Sequence, residues 1–200
     1  MRSISTDADA FALALEQVKG ADVRPEFELD EAPAPQRLAP AAVALTAEMT
    51  DPESDLASGR FVLLHDPDGV EEWEGSFRAV IFVRAALEQD LLDDPLLHDV
   101  GWSWVAECLA GRGCRVRQLG GTVTRTSGRS FGTMGDRPAD GFVEIRGSWT
   151  PIEDDDTGAV LDDMADHVTA WVDLMAQAAG LPPVPEGVAL VGPRRRRPRS

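Results

Sequence analysis

The segment Phe77-Arg78-Ala79-Val80-Ile81-Phe82-Val83-Arg84-Ala85-Ala86-Leu87 decides the fold class. Phe77, Ala79, Ile81, Val83, Ala85 and Leu87 fall on one side of an extended chain and Arg78, Val80, Phe82 and Arg84 on the other, which is the period of two that a β-strand imposes. Because the second side is half apolar, the strand is expected near the centre of a sheet, paired with Phe61 to Leu64 as an antiparallel hairpin. Asp66-Pro67-Asp68-Gly69 carries turn chemistry for that hairpin, with proline pre-set for the second position and glycine tolerating a positive φ.

Upstream, Val43, Leu45, Ala47 and Met49 alternate in the same way, and Asp51 to Gly59 reads as a polar connector. Val23 to Leu29 also alternates, but Pro25 confines it to a sheet edge, and Ala32-Pro33-Ala34-Pro35 forces an extended connector after it. Phe11, Ala14, Leu15 and Val18 recur at helical spacing, with Ser5 or Thr6 as the expected N-cap and Gly20 as the stop.

Downstream, Glu88 to His98 is acidic, leucine-rich and interrupted by Pro95, so irregular turns are expected there. A helix follows from about Gly101 to Ala110, with Asp99 as its N-cap and Trp104, Val105, Cys108 and Leu109 on one stripe. Arg115 to Thr126 and Phe142 to Trp149 read as strands around a glycine-rich loop, Gly128 to Gly141. In the last helix Leu161, Met164, Val168, Trp171, Met175 and Ala178 repeat at three and four residues, while Asp162, Asp163, Asp166, Asp173 and Gln177 are expected to face water. Gly180 with Pro182-Pro183 ends it.

The order helix, strands, helix, strands, helix predicts an α+β fold, a mainly antiparallel sheet of about five to six strands with three packed helices. Residues 1–192 are expected to form a single acidic domain, with 181–192 a proline-rich extended arm and 193–200 a disordered arginine-rich tail. Missing strand–helix alternation excludes a doubly wound parallel sheet.

Composition removes many chemistries. The chain of 200 residues has 19 Lys plus Arg against 35 Asp plus Glu, a formal net charge of −16. Five of those arginines (Arg194, Arg195, Arg196, Arg197 and Arg199) lie in the last seven residues, so the remaining 14 bases face 35 acids, or −21, ahead of a +5 tail. The lysine at Lys19 has no other lysine beside it in the chain, tyrosine is absent, and the three histidines His65, His98 and His167 are scattered. Phosphate-loop and Schiff-base chemistries would have to use Lys19, at the end of the first expected helix and away from any glycine-rich loop, and paired-histidine zinc chemistry lacks its residues. Cys108 and Cys114 form no CxxC pair and are expected to be thiols in a reducing cytoplasm. No apolar leader or membrane-length run is read in the sequence, and a soluble cytoplasmic protein is expected.

Gly128-Arg129-Ser130-Phe131-Gly132 matches the GxSxG nucleophile elbow, and Asp154 and His167 follow it in the order of a hydrolase triad. The residues after it cannot start the helix that such an elbow requires, and His167 is expected on a solvated helix face. Arg125, Arg129 and Arg137 around this loop form the basic patch visible within the acidic body, readable as anion contacts or as solubilising charges. Glu153-Asp154-Asp155-Asp156 reads as capping for the last helix, without the alternating spacing of a calcium loop. Trp104, Trp149 and Trp171 occupy core positions, which leaves Trp102 and Trp73 as the candidates for an exposed aromatic. The arginine tail suits phosphates, an acidic protein or the acidic body itself.

The blocks Val23-Arg24-Pro25-Glu26, Ala32-Pro33-Ala34-Pro35-Gln36-Arg37-Leu38-Ala39-Pro40, Ser58 to Pro67, Pro95-Leu96-Leu97, Val100-Gly101-Trp102-Ser103-Trp104 and Ala179-Gly180-Leu181-Pro182-Pro183 together resemble an actinobacterial family catalogued as domain of unknown function three thousand, from about Ala21 to Val188. The resemblance implies a bacterial cytoplasmic protein and carries no catalytic residue.

No catalytic, cofactor-binding or metal-ligating residue is assigned. The expected role is a non-catalytic protein-binding or adaptor module, a homodimer among its assemblies; as a fold-level analogy, the element order is that of small acidic secretion chaperones. The alternatives are a nucleic-acid-associated accessory protein using the tail and, third, a hydrolase centred on Ser130. The expected contacts are Trp102, Arg125, Arg129, Arg137 and the five tail arginines.

Overall fold

A computed structural model describes residues 4–50, 56–136, 140–152 and 163–183. The elements are α1 (Ile4–Gly20), β1 (Phe27–Ala32), β2 (Ala41–Met49), β3 (Ala57–Val70), β4 (Gly75–Ala86), α2 (Leu97–Gly111), β5 (Val116–Gly128), β6 (Asp140–Pro151) and α3 (Met164–Ala178). All six strands pair antiparallel in one sheet, ordered β1-β2-β3-β4-β6-β5. This is the expected α+β architecture. Strand β4 is interior, as its two-sided pattern implies, and Phe61 pairs with Ile81.

One face of the sheet carries the core. Phe61 and Leu63 of β3, Ala79, Ile81 and Val83 of β4, and Val143, Ile145 and Trp149 of β6 are all buried beneath the helices. Helix α3 lies against β3 and β4 and also touches α1 and α2. It buries Val168, Ala170, Trp171, Val172, Leu174 and Met175, so it is enclosed on nearly every side, as a helix between two others must be. The polar residues expected in solvent are tied to α2 instead: Arg112 donates to Asp173 at 2.7 Å and the Cys108 thiol donates to Gln177 at 3.4 Å. Gln17 of α1 accepts from the Met164 amide at 2.9 Å, partnering one of the free N–H groups at the start of α3.

His167 also departs from expectation, being completely buried rather than on a solvated face. Its Nδ1 accepts a hydrogen bond from Trp149 Nε1 at 3.1 Å. Since an indole only donates, the neutral ring holds its proton on Nε2, which faces Asp163 at 3.7 Å. Burial pushes the His167 pKa down to about 4.

The reversal between β3 and β4 falls later than its turn chemistry implies. Asp66 to Gly69 is a bulge inside β3, closed by an Asp68 amide to Asp66 carboxylate bond of 3.1 Å and by Gly69 at φ 75°, and pairing resumes at Val70 with Gly75. Glu71 to Glu74 makes the turn, with Glu74 at φ 55°. Strand β1 begins at Phe27, beyond Pro25, and forms a sheet edge. Helix α1 begins at Ile4, which places Ser5 and Thr6 inside it. Helix α2 begins at Leu97 with Asp99 in its first turn and no side-chain cap. Among the described residues no helix is long and apolar enough to cross a membrane.

Candidate docking face of the sheet

The helices cover one face of the sheet; on the other, Ala44, Leu64 and Thr150 are buried, while Val80, Arg84 and Arg146 remain exposed. Strand alternation puts Arg78, Val80, Phe82 and Arg84 of β4 on this second face, and the register fixes their neighbours. Arg60 of β3 and Arg146 of β6 stand opposite Phe82 on either side, in a row that continues through Thr46 to Asp30 and ends at Thr122. The next row is Ala44, Val62, Val80, Ser148 and Gly120. Gly120 and Ser148 keep this row low beside Arg146, and Val80 remains 36% exposed.

The surroundings of these four arginines differ from one to the next. Arg146 meets Glu144 at 2.8 Å and lies 5.2 Å from the Phe82 ring centroid. Arg84 lies 3.7 Å over the Phe142 ring. Arg78 donates to Ser148 Oγ at 2.7 Å and to Thr150 Oγ1 at 3.1 Å, and the Thr150 hydroxyl in turn donates a hydrogen bond to the Trp73 carbonyl at 2.5 Å. Arg60 donates to the Pro33 carbonyl. Among the described residues, then, Arg60, Arg78 and Arg84 have no ion-pair partner. Partial burial without a counter-charge holds the Arg78 guanidinium below its ordinary pKa. The arginines with carboxylate partners elsewhere, Arg24 with Glu26 at 2.9 Å and Arg112 with Asp173 at 2.7 Å, serve the fold.

Two clefts open on this side. One of about 390 Å³ spans Arg60, Val62, Val80, Phe82 and Arg146. The other, about 600 Å³, lies at the end of the sheet among Leu56, Ser58, Arg84, Ala86, Phe142 and Asp140. Both fall in the size range of ligand sites. The lining supplies cations, rings and small hydroxyls, but no base aligned with a nucleophile. What it can do chemically is hold an anion: a guanidinium presents a planar fork matched to a carboxylate or phosphate.

A family model described as Protein of unknown function (DUF3000) matches residues 7–189. The chain belongs to that family. No curated protein and no solved structure matches it.

In this DUF3000 member the sequence-predicted contacts do not converge. Arg125 sits on the helix side of β5, where its guanidinium donates to the Asp94 carbonyl at 2.7 Å. Arg129 is exposed in the β5–β6 loop. Arg137, Arg194, Arg195, Arg196, Arg197 and Arg199 lie outside the described residues, as does the acidic run 153–156. Trp102 is half-buried over Gly121, where an added Cβ would come within 2.7 Å of the indole, so it is a packing residue rather than an exposed platform. Trp73 is half-buried as well.

Among the described residues no nucleophile–base pair forms around Ser130, and Asp154 lies outside them. Ser130 occupies the β5–β6 loop, a strand-to-strand connection and not a strand-to-helix elbow. His167 is committed to Trp149, and His65 packs between Phe11 and Phe77 at 5.7 and 4.4 Å. Burial, with Asp173 beside one thiol and Asp163 beside the other, raises Cys108 and Cys114 to about 12, so neither is a nucleophile near neutral pH. Among the described residues no group of three or more His, Cys, Asp or Glu could hold a metal ion.

The face itself escaped sequence reading because two of its four arginines, Arg60 and Arg146, join it only through strand register. The available signal was the Arg78/Arg84 alternation in β4.

Proposed function

We propose that this protein is a non-catalytic binding module of the cytoplasm that docks an anionic partner on the helix-free sheet face, with the arginine tail as a second, less selective contact. The observation that carries this reading is the concentration of Arg60, Arg78, Arg84 and Arg146 on one face of a −16 chain, three of them without a carboxylate partner among the described residues. In such a chain a cation not neutralised internally is a ready contact for a negative group brought by a partner.

The test is a titration of the full-length protein, its five tail arginines replaced by serine, with fluorescein-labelled heptaglutamate and hepta-uridylate. At least one should bind, and more weakly as salt rises. Reversing Arg84→Glu together with Arg146→Glu is expected to weaken binding about tenfold or more, whereas Arg129→Glu in the loop should leave it within about twofold. Binding that ignores the double reversal, or no binding of either probe, would reject the docking face.

A further inference from the structure

Resting on that docking reading, we infer that the occupant is a short, extended acidic peptide with apolar residues at alternate positions, laid along β4. Three features of the face choose this ligand among anions.

Its dimensions come first. Along β4, Arg78, Val80, Phe82 and Arg84 project at every second residue, so the outer two stand roughly 20 Å apart, the reach of about six extended residues. Arg60 and Arg146 flank Phe82 about one strand spacing, ~5 Å, to either side.

The floor is the second feature. Between the cations lie Val62, Val80 and Phe82, with Gly120 and Ser148 beside them. An extended peptide shows alternate side chains to the surface beneath it. Leucine or valine on such a peptide would cover this floor, and carboxylates toward its ends and flanks would reach the guanidinium groups. A polynucleotide places a charge at every residue and would ordinarily hold such a surface by stacking bases on exposed rings. Here the two rings are already occupied, Phe142 by Arg84 at 3.7 Å and Phe82 by Arg146 at 5.2 Å.

Third, carboxylates fence the face. Glu28, Asp30 and Glu48 stand on the same side of β1 and β2, Asp140 begins β6, and Glu71, Glu72 and Glu74 form the turn before β4. A long polyanion crossing the patch would run into them, while a ligand of about six residues fits within.

The experiment compares three labelled probes on the full-length protein: the heptapeptide Glu-Ser-Leu-Ser-Leu-Ser-Glu, whose face-down side chains are glutamate at the two ends and leucine between (the alternating peptide), heptaglutamate, and hepta-uridylate. The alternating peptide is expected to bind about tenfold more tightly than heptaglutamate, and hepta-uridylate more weakly than either. Val80→Asn, at an exposed position that should not disturb folding, is expected to erase the advantage of the alternating peptide while leaving heptaglutamate unchanged; a thermal midpoint verifies that the variant is folded. If hepta-uridylate binds most tightly and depends on Arg84 and Arg146, the peptide assignment is overturned while the docking face stands. Equal binding of the two peptides overturns the alternating pattern. If none of the three binds, both readings fall.

Discussion

Urea denaturation of a Trp171→Ala variant is expected to register a loss of about 3 to 5 kcal/mol, the largest from any single truncation considered. Trp171 is completely buried in α3, its ring 5.8 Å from that of Phe61. Its Nε1 donates to the Phe82 carbonyl at 3.2 Å. The truncation opens a cavity in a close-packed layer and removes a hydrogen bond to the strand whose other side carries the docking face. Trp171→Phe keeps most of the volume and should cost roughly 1 to 2 kcal/mol, mainly the lost bond and a smaller void. A loss below about 1 kcal/mol for the alanine variant would mean that α3 does not pack on β3 and β4 as described.

The second large effect is acid sensitivity through His167. The native pKa of about 4 lies below the ordinary value of 6.5, and burial is the cause. The sign follows directly. Between those values the unfolded chain binds a proton that the native ring refuses, so the contribution is present above pH 6.5 and is lost as pH falls toward 4. Between pH 7 and pH 5 the loss amounts to about 2 kcal/mol. Asp163 at 3.7 Å favours the charged ring and opposes the shift, but desolvation wins. Carboxylates such as Glu26, whose pKa is lowered by its bond to Arg24, also contribute to acid sensitivity, so the wild type must be compared with His167→Gln. The difference between the two stability curves should shrink by about 2 kcal/mol over that range. Parallel curves would show that His167 titrates normally.

Much of the architecture was legible because each element carries its own periodicity. The two-residue alternation of β4 marked an interior strand, and the spacing of Phe11, Ala14 and Val18 marked α1. Where reading failed, a tertiary partner had overruled a local signal. Asp66 to Gly69 has the residues of a turn, yet strand pairing resumes beyond it and the chain reverses at Glu74, which adopts a positive φ with no glycine or asparagine to announce it. Asp173 and Gln177 looked solvated because sequence does not say that α2 will lie across them with Arg112 and Cys108. The docking face is the clearest case. Arg60 and Arg146 are 86 positions apart in the chain and meet at Phe82 only when β3 and β6 take up their registers against β4.

Backbone chemical-shift mapping of the isotope-labelled full-length protein, titrated with the heptapeptide Glu-Ser-Leu-Ser-Leu-Ser-Glu, tests the central claim most directly. The account predicts saturable shifts concentrated on the amides of β3, β4 and β6 around Arg60, Val80, Phe82 and Arg146, with the helices largely unmoved. Shifts confined to the helices, to the loop around Arg129 or to the arginine tail would contradict it.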